Sequence, residues 1–159
     1  MNHELGIKLQ IIPQKEEGVL GFYAALSKTP DMNIEKSLVW DIGGGSQQMI
    51  IQIEKKGRKQ LDVYEGKVAS VSFRNYLISN VERRSGDTPN PLKANQARSG
   101  LAYAQDVARR TVKNEFKTAL ENNYTVYGIG GVHNYSIKGQ LQNANGYSQD
   151  DVQKIIDVR

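Results

Sequence analysis

Val39-Trp40-Asp41-Ile42-Gly43-Gly44-Gly45-Ser46-Gln47-Gln48-Met49-Ile50-Ile51 is the stretch on which the fold and the chemistry of this chain turn. An apolar strand, Ser37 to Asp41, delivers an acidic residue directly into three glycines and a hydroxyl, and a second strand, Met49 to Ile53, leaves the turn. Successive glycines lose much backbone entropy on ordering, yet they accept positive φ and let bare N–H groups approach an oxyanion closely. The turn therefore predicts a seat for phosphate. Asp41 has two readings at this point: it holds a divalent cation or orients water, or it satisfies the amides of the turn.

Outward from that turn, Leu38, Val39 and Trp40 read as a central buried strand, and Ile51 and Ile53 alternate with Gln52 and Glu54 as a half-exposed one does. A third strand, Leu61 to Glu65, completes a meander of hairpins. Upstream, Ile7, Leu9, Ile11 and Ile12 approximate a strand closed by Pro13. A helix follows from Lys15, with Glu16 and Glu17 in its first turn, where acidic side chains complement the helix dipole, and it fades at Lys28-Thr29-Pro30-Asp31. Downstream, the spacing predicts a helix over Val68 to Val81 with Val71, Tyr76 and Leu77 near one face, then a polar loop from Arg84 to Pro91. A long helix over Lys93 to Glu121 is expected to bury Ala97, Leu101, Ala104, Ala108, Val112, Phe116 and Leu120. A short strand, Thr125 to Ile129, runs into a helix or loop through Ile137, and Ser148 to Asp151 resembles the N-cap of a last helix carrying Val152, Ile155 and Ile156. The pattern is α/β.

The 159 residues, 38% apolar and 24% charged, allow one or two compact units and exclude a disordered or collagen-like chain. With no cysteine there is no disulfide, thiolate zinc site or cysteine nucleophile. The start of the chain lacks a basic segment leading into an apolar core, and no long apolar run occurs, so the expectation is a cytoplasmic protein with no membrane partner. Twenty-one Lys and Arg against seventeen Asp and Glu give a charge of +4, mildly favouring an anionic ligand. The Arg and Lys face of the long helix reads as solvated, and no nucleic-acid partner is expected.

A second glycine turn, Gly128-Ile129-Gly130-Gly131, again follows an apolar strand, so two glycine-rich strand ends are expected to face one phosphorylated ligand across a cleft. Neither common fingerprint applies. The Walker pattern requires a lysine and hydroxyl after the last glycine, and the dinucleotide pattern requires a helix where this chain has a strand. His3 and His133 stand without a second ligand at metal spacing and are assigned surface or turn roles.

These stretches, IKLQIIPQKEEGVLGFYAAL, VWDIGGGSQQMII, SVSFRNYLI and VYGIGGV, together resemble the exopolyphosphatase and guanosine pentaphosphate phosphohydrolase family, part of the actin-like, sugar-kinase and heat-shock-chaperone ATPase superfamily. The resemblance implies an α/β, ribonuclease-H-like (actin-like ATPase) fold, a mixed sheet with helices on both faces. It also implies a division into residues 1–30, the last strand and helix of a first actin-like domain, and 37–159, the second. No counterpart of the family's earlier aspartate-glycine-serine hairpin precedes Ile7, so the chain looks like part of such an enzyme.

By the same resemblance, Glu17 matches the glutamate that activates the attacking water. Asp41 matches the aspartate that helps bind Mg²⁺ or water, Gly43, Gly44, Gly45 and Ser46 match the phosphate loop, and Gly130 and Gly131 match the second loop. The implied reaction is Mg²⁺-dependent cleavage of terminal phosphoanhydrides of polyphosphate or guanosine pentaphosphate, and the implied assembly is a homodimer. Three departures stand out. Gln48 replaces a carboxylate expected to assist the metal, Pro13-Gln14 replaces serine-glycine, and Val132-His133 stands where a threonine is common. Gln48 therefore marks a weakened metal position, because hard cations prefer charged oxygens. The rival expectations are a catalytically silent polyphosphate or alarmone-binding module and, against the Glu16-Glu17 helix start, a kinase-like or chaperone-like ATPase.

Overall fold

The computed structural model describes residues 9–141 and 146–157. Its centre is a four-stranded mixed sheet in the order β3-β2-β1-β4, formed by β1 (Ser37–Ile42), β2 (Gln47–Lys55), β3 (Arg58–Gly66) and β4 (Thr125–Ile129). The first three strands are the expected antiparallel meander, and β4 pairs parallel to β1, placing Ile129 beside Asp41. Strand alternation then sends Val39 and Asp41 to one face and Leu38 and Trp40 to the other.

Helix α1 (Gln14–Lys28) covers the first face. Its Phe22 and Ala25 pack with Met32, Val39, Ile50 and Val63 in one core cluster, and Gly18 and Gly21 let its backbone approach the strands closely. On the opposite face, Phe116 and Ala119 of α4 (Asn114–Glu121) pack on Leu38, Met49, Ile51 and Tyr64. Helices therefore flank both faces, as expected.

Three elements depart from the sequence reading. The segment before Pro13 is not a strand where it is described: residues 9–12 are irregular, with Leu9 and Ile11 exposed and, among the described residues, no strand paired with them, while Ile7 lies outside the described residues. The long helix is two. Helix α3 (Ala94–Thr111) stops at Val112 and Lys113, which are extended at ψ 124° and 152°, and α4 restarts at Asn114. The β-branched pair Thr111-Val112 weakens the helix there. The junction is tied to β3 through Lys113 Nζ, which donates to Asp62 Oδ1 (2.8 Å) and Val63 O (3.0 Å), and through a 2.7 Å hydrogen bond between the Tyr64 and Thr111 hydroxyls.

Third, the buried face of α3 is rotated by one residue from Ala97-Leu101-Ala104-Ala108. Gly100 is the buried position, under Leu77 and Phe73, Tyr103 stacks on Tyr76, and Leu101 is left exposed. Helix α2 (Ser70–Tyr76) continues as a π-helical stretch, Leu77–Val81. After β4, a second π-helical stretch (Val132–Ile137) leads into α5 (Lys138–Leu141). The final helix α6 (Gln149–Asp157) starts at the expected cap: the Asp151 N–H donates to Ser148 Oγ (3.2 Å), and Asp151 Oδ2 accepts from the Ser148 N–H (2.9 Å).

Candidate functional site

The candidate site lies on the α1 side of the sheet, where β1 ends. Asp41 is the last inward-facing residue of β1 on that face, and its direct partner on β2 is Gln48. Glu17 reaches the same place from the first turn of α1, where Gln48 Nε2 donates to Glu17 Oε2 at 2.8 Å. One turn further along α1, Gly21 faces Asp41: a Cβ there would sit 3.9 Å from Asp41 Oδ2. The structure thus brings Glu17, Asp41 and Gln48 onto one patch, although 24 residues or more separate Glu17 from the other two. Glu16, its neighbour, is exposed and makes no described contact with the patch.

Two glutamines brace this corner. Gln14 Nε2 donates to the carbonyls of Gln47 (3.0 Å) and Gly66 (3.1 Å), pinning the start of α1 to β2 and β3. Gln47, on the other face, accepts from Trp40 Nε1 (2.8 Å) and donates to Val68 O (2.6 Å). Gln14 read in sequence only as a departure from a family pattern. The available signal was its position four residues before Gly18, which aims it at the sheet.

The first glycine turn differs in detail from its sequence reading. None of Gly43, Gly44 and Gly45 takes a left-handed φ, so the expected positive φ is absent there. What the turn uses is compactness. The Gly43 N–H donates to Ser46 O (3.0 Å), and a Cβ on Gly44 would press on Val71 at 3.3 Å. Val71 is therefore exposed beside the turn instead of buried in a core. The Gly43 and Gly44 carbonyls accept from the N–H groups of Ser70, Val71 and Ser72 and so cap α2. In a trans peptide the next N–H points opposite to the carbonyl, so the N–H groups of Gly44 and Gly45 point away from α2. Gly45 has open space around it.

The second turn does need a glycine conformation. Gly130 has φ +87°, and a Cβ there would lie 2.5 Å from Asp41 Oδ1 and 2.9 Å from Ile42 O. Gly131 has an ordinary helical φ of −66° and opens the π-helical stretch. Asp41 thus sits between the two turns, half-buried, and loss of water around it pushes its carboxyl above the usual carboxylate range.

His133 is not a surface residue. It is 6% exposed, its ring packs edge-on to Trp40, and Gly128 has no room for a Cβ because the imidazole occupies it. Its Nδ1 meets the Tyr147 hydroxyl at 2.6 Å, and burial pushes its pKa down. This lies on the opposite face of the sheet from Asp41, so His133 shapes β4 from behind.

A family model described as the Ppx/GppA phosphatase family matches residues 1–81, about half of the 159. The chain belongs to that family. Among solved structures, the chain is similar to one described as a structural study of the Aquifex aeolicus PPX-GPPA enzyme, with a TM-score of 0.59 at 15% identity over 94% of this chain. The chain spans 42% of that protein's length. At this identity the likeness is one of fold: an α/β arrangement of a mixed sheet with helices on both faces. No curated protein matches the sequence. Glu17, Asp41, the first glycine turn and Gln48 lie inside the matched family segment, whereas Gly130 and Gly131 lie beyond it. Among the described residues no helix is long and apolar enough to cross a membrane.

Proposed function

We propose that the chain is the phosphate-handling part of an exopolyphosphatase-like phosphohydrolase that removes the terminal phosphate of polyphosphate or guanosine pentaphosphate. The observation that carries this reading is the meeting of Glu17 with the Asp41–Gln48 strand pair at the mouth of the first glycine turn. Family membership and the charge of +4 support a phosphorylated, anionic ligand.

The donor set is one half-buried carboxylate, one neutral amide and one exposed carboxylate, and among the described residues no three acidic or imidazole side chains gather into a metal cluster. That suits Mg²⁺, which is commonly held by one or two carboxylates while water and substrate phosphates complete its shell. Asp41 would hold it; Gln48 stands beside it in the weakened place, with its amide nitrogen already committed to Glu17. The ion would neutralise charge on the terminal phosphate.

The rest of the work falls to the chain. The N–H groups of Gly44 and Gly45 orient the terminal phosphoryl, and Ser46 offers a hydroxyl beside them. Glu17 takes a proton from water as the water oxygen bonds to phosphorus. The bridging P–O bond breaks, and its electrons leave on the shortened chain, so no covalent nucleophile is needed. Gly130 permits β4 to close behind Asp41 without displacing it.

The test is Mg²⁺-dependent orthophosphate release from polyphosphate and from guanosine pentaphosphate. Glu17→Gln is expected to lower the rate by roughly 10²- to 10⁴-fold, the usual worth of a general base, with ligand binding retained. Equal rates for the two proteins would remove Glu17 from the reaction. A second reading, a binding module without turnover, draws on the neutral Gln48 amide in a place where the family has a carboxylate. It predicts saturable binding of polyphosphate and no phosphate release by either protein.

A further inference from the structure

We infer that Gln48 is the positioning residue for Glu17, and that in this chain the Glu17 carboxylate is oriented by an amide instead of through a shared cation. The inference rests on the reading of Glu17 as the base and adds what aims it.

The argument starts from charge. A carboxylate at position 48 beside the Glu17 carboxylate would repel it, and the two would share a site only with a proton or a cation between them. An amide reverses the sign of the contact. Gln48 Nε2 donates directly to Glu17 Oε2 at 2.8 Å, a hydrogen bond to a charged acceptor. Gln48 is itself 2% exposed, so its side chain is held by packing and does not wander. The packing is specific: β1–β2 register sets it beside Asp41, and α1 closes over it at Gly18, where an added Cβ would lie 3.3 Å from Gln48 Cβ. Gln14 completes the arrangement by pinning the first turn of α1 to the backbone of β2 and β3. Glu17 is thereby held at both its helix and its carboxylate.

Two measurements on the 159-residue chain test this. In EDTA, the Gln48 side-chain amide should show slowed hydrogen exchange and a resonance displaced from solvent-exposed glutamines, and Glu17→Ala should abolish both. Unchanged exchange and position in Glu17→Ala would overturn the inference, and so would their appearance only after Mg²⁺ is added. In the phosphate-release assay, Gln48→Leu should lower kcat roughly 10- to 100-fold, as loss of a supporting hydrogen bond does, with KM within about twofold because Leu touches no phosphate. Gln48→Glu should regain part of that kcat only at raised Mg²⁺. An undiminished kcat in Gln48→Leu would overturn the positioning role. Should the unsubstituted chain release no phosphate, the hydrolase reading fails by itself, and the amide measurement still decides whether Gln48 holds Glu17. That measurement also stands if Gln48→Leu does not fold.

Discussion

The two glycine turns that flank Asp41 look alike in sequence and are different objects. Both leave the carboxyl ends of neighbouring parallel strands, β1 and β4. Gly43-Gly44-Gly45 takes no left-handed φ and is crowded only where Gly44 meets Val71, so its glycines keep a tight bend bare. Gly130 combines a φ of +87° with Asp41 Oδ1 and Ile42 O in the space a side chain would need. The first turn leaves open space at Gly45, whereas the second is bound to glycine by backbone and neighbours together.

That contrast is broken most directly at Gly130. Gly130→Ala should destabilise the chain by roughly 2–4 kcal/mol, from a left-handed backbone penalty added to an overpacked contact, read as a lowered urea midpoint with unchanged slope. A change below about 0.5 kcal/mol would mean that Asp41 and Ile42 yield easily and the two turns are equivalent.

The next effect concerns what lies behind the second turn. Burial holds His133 neutral, so its folded pKa lies below its unfolded value. Its contribution is therefore complete above about pH 6.5 and is lost as pH falls through the folded pKa. Stability should drop between pH 7.5 and pH 5, and His133→Phe should flatten that part of the profile. Chemical denaturation at a series of pH values checks it, and parallel profiles would place the pH dependence elsewhere.

Asp41 has the opposite sign. Desolvation raises its folded pKa, so ionisation weakens the fold as pH rises through that value. Asp41→Asn should raise the thermal midpoint at pH 7, with the advantage fading as pH falls below the carboxylate range, while phosphate release is lost. A midpoint at pH 7 that is unchanged or lower would show that the carboxylate has a compensating partner at the two turns.

The smallest effect belongs to Gly45. It has ordinary φ and open space, so Gly45→Ala should change stability by less than about 0.5 kcal/mol. Under the proposed reading its cost should appear in polyphosphate affinity alone, because the new methyl occupies the open space beside the turn. A loss of stability without a loss of binding would exchange the roles assigned to the turns.

The meander, α1, β4 and the N-cap of α6 were legible because each rests on local signals: alternation, helical spacing, turn residues and a Ser-x-x-Asp cap. Asp41, Gly130 and Glu17 were legible as candidates for the same reason, since strand ends and helix starts announce themselves. The break at Val112-Lys113 was not. Helical spacing runs through it, and what stops the helix is Lys113 reaching Asp62 and Val63, about fifty residues away in sequence. His133 was misread because a lone histidine carries no pattern of its own, and its burial is decided by the gap that Gly128 leaves.

By itself, the order of residues determined which strands could form, where the chain had to turn, and which acidic side chains stood at their ends. Only the folded arrangement decided that Gln48, one residue among the polar flank of a strand, would close on Glu17 and lie beside Asp41. The reason is physical. Strand and turn preferences act over a few bonds, whereas the meeting of a helix start with a strand pair depends on register, on glycines that admit the helix, and on which donor faces which charge.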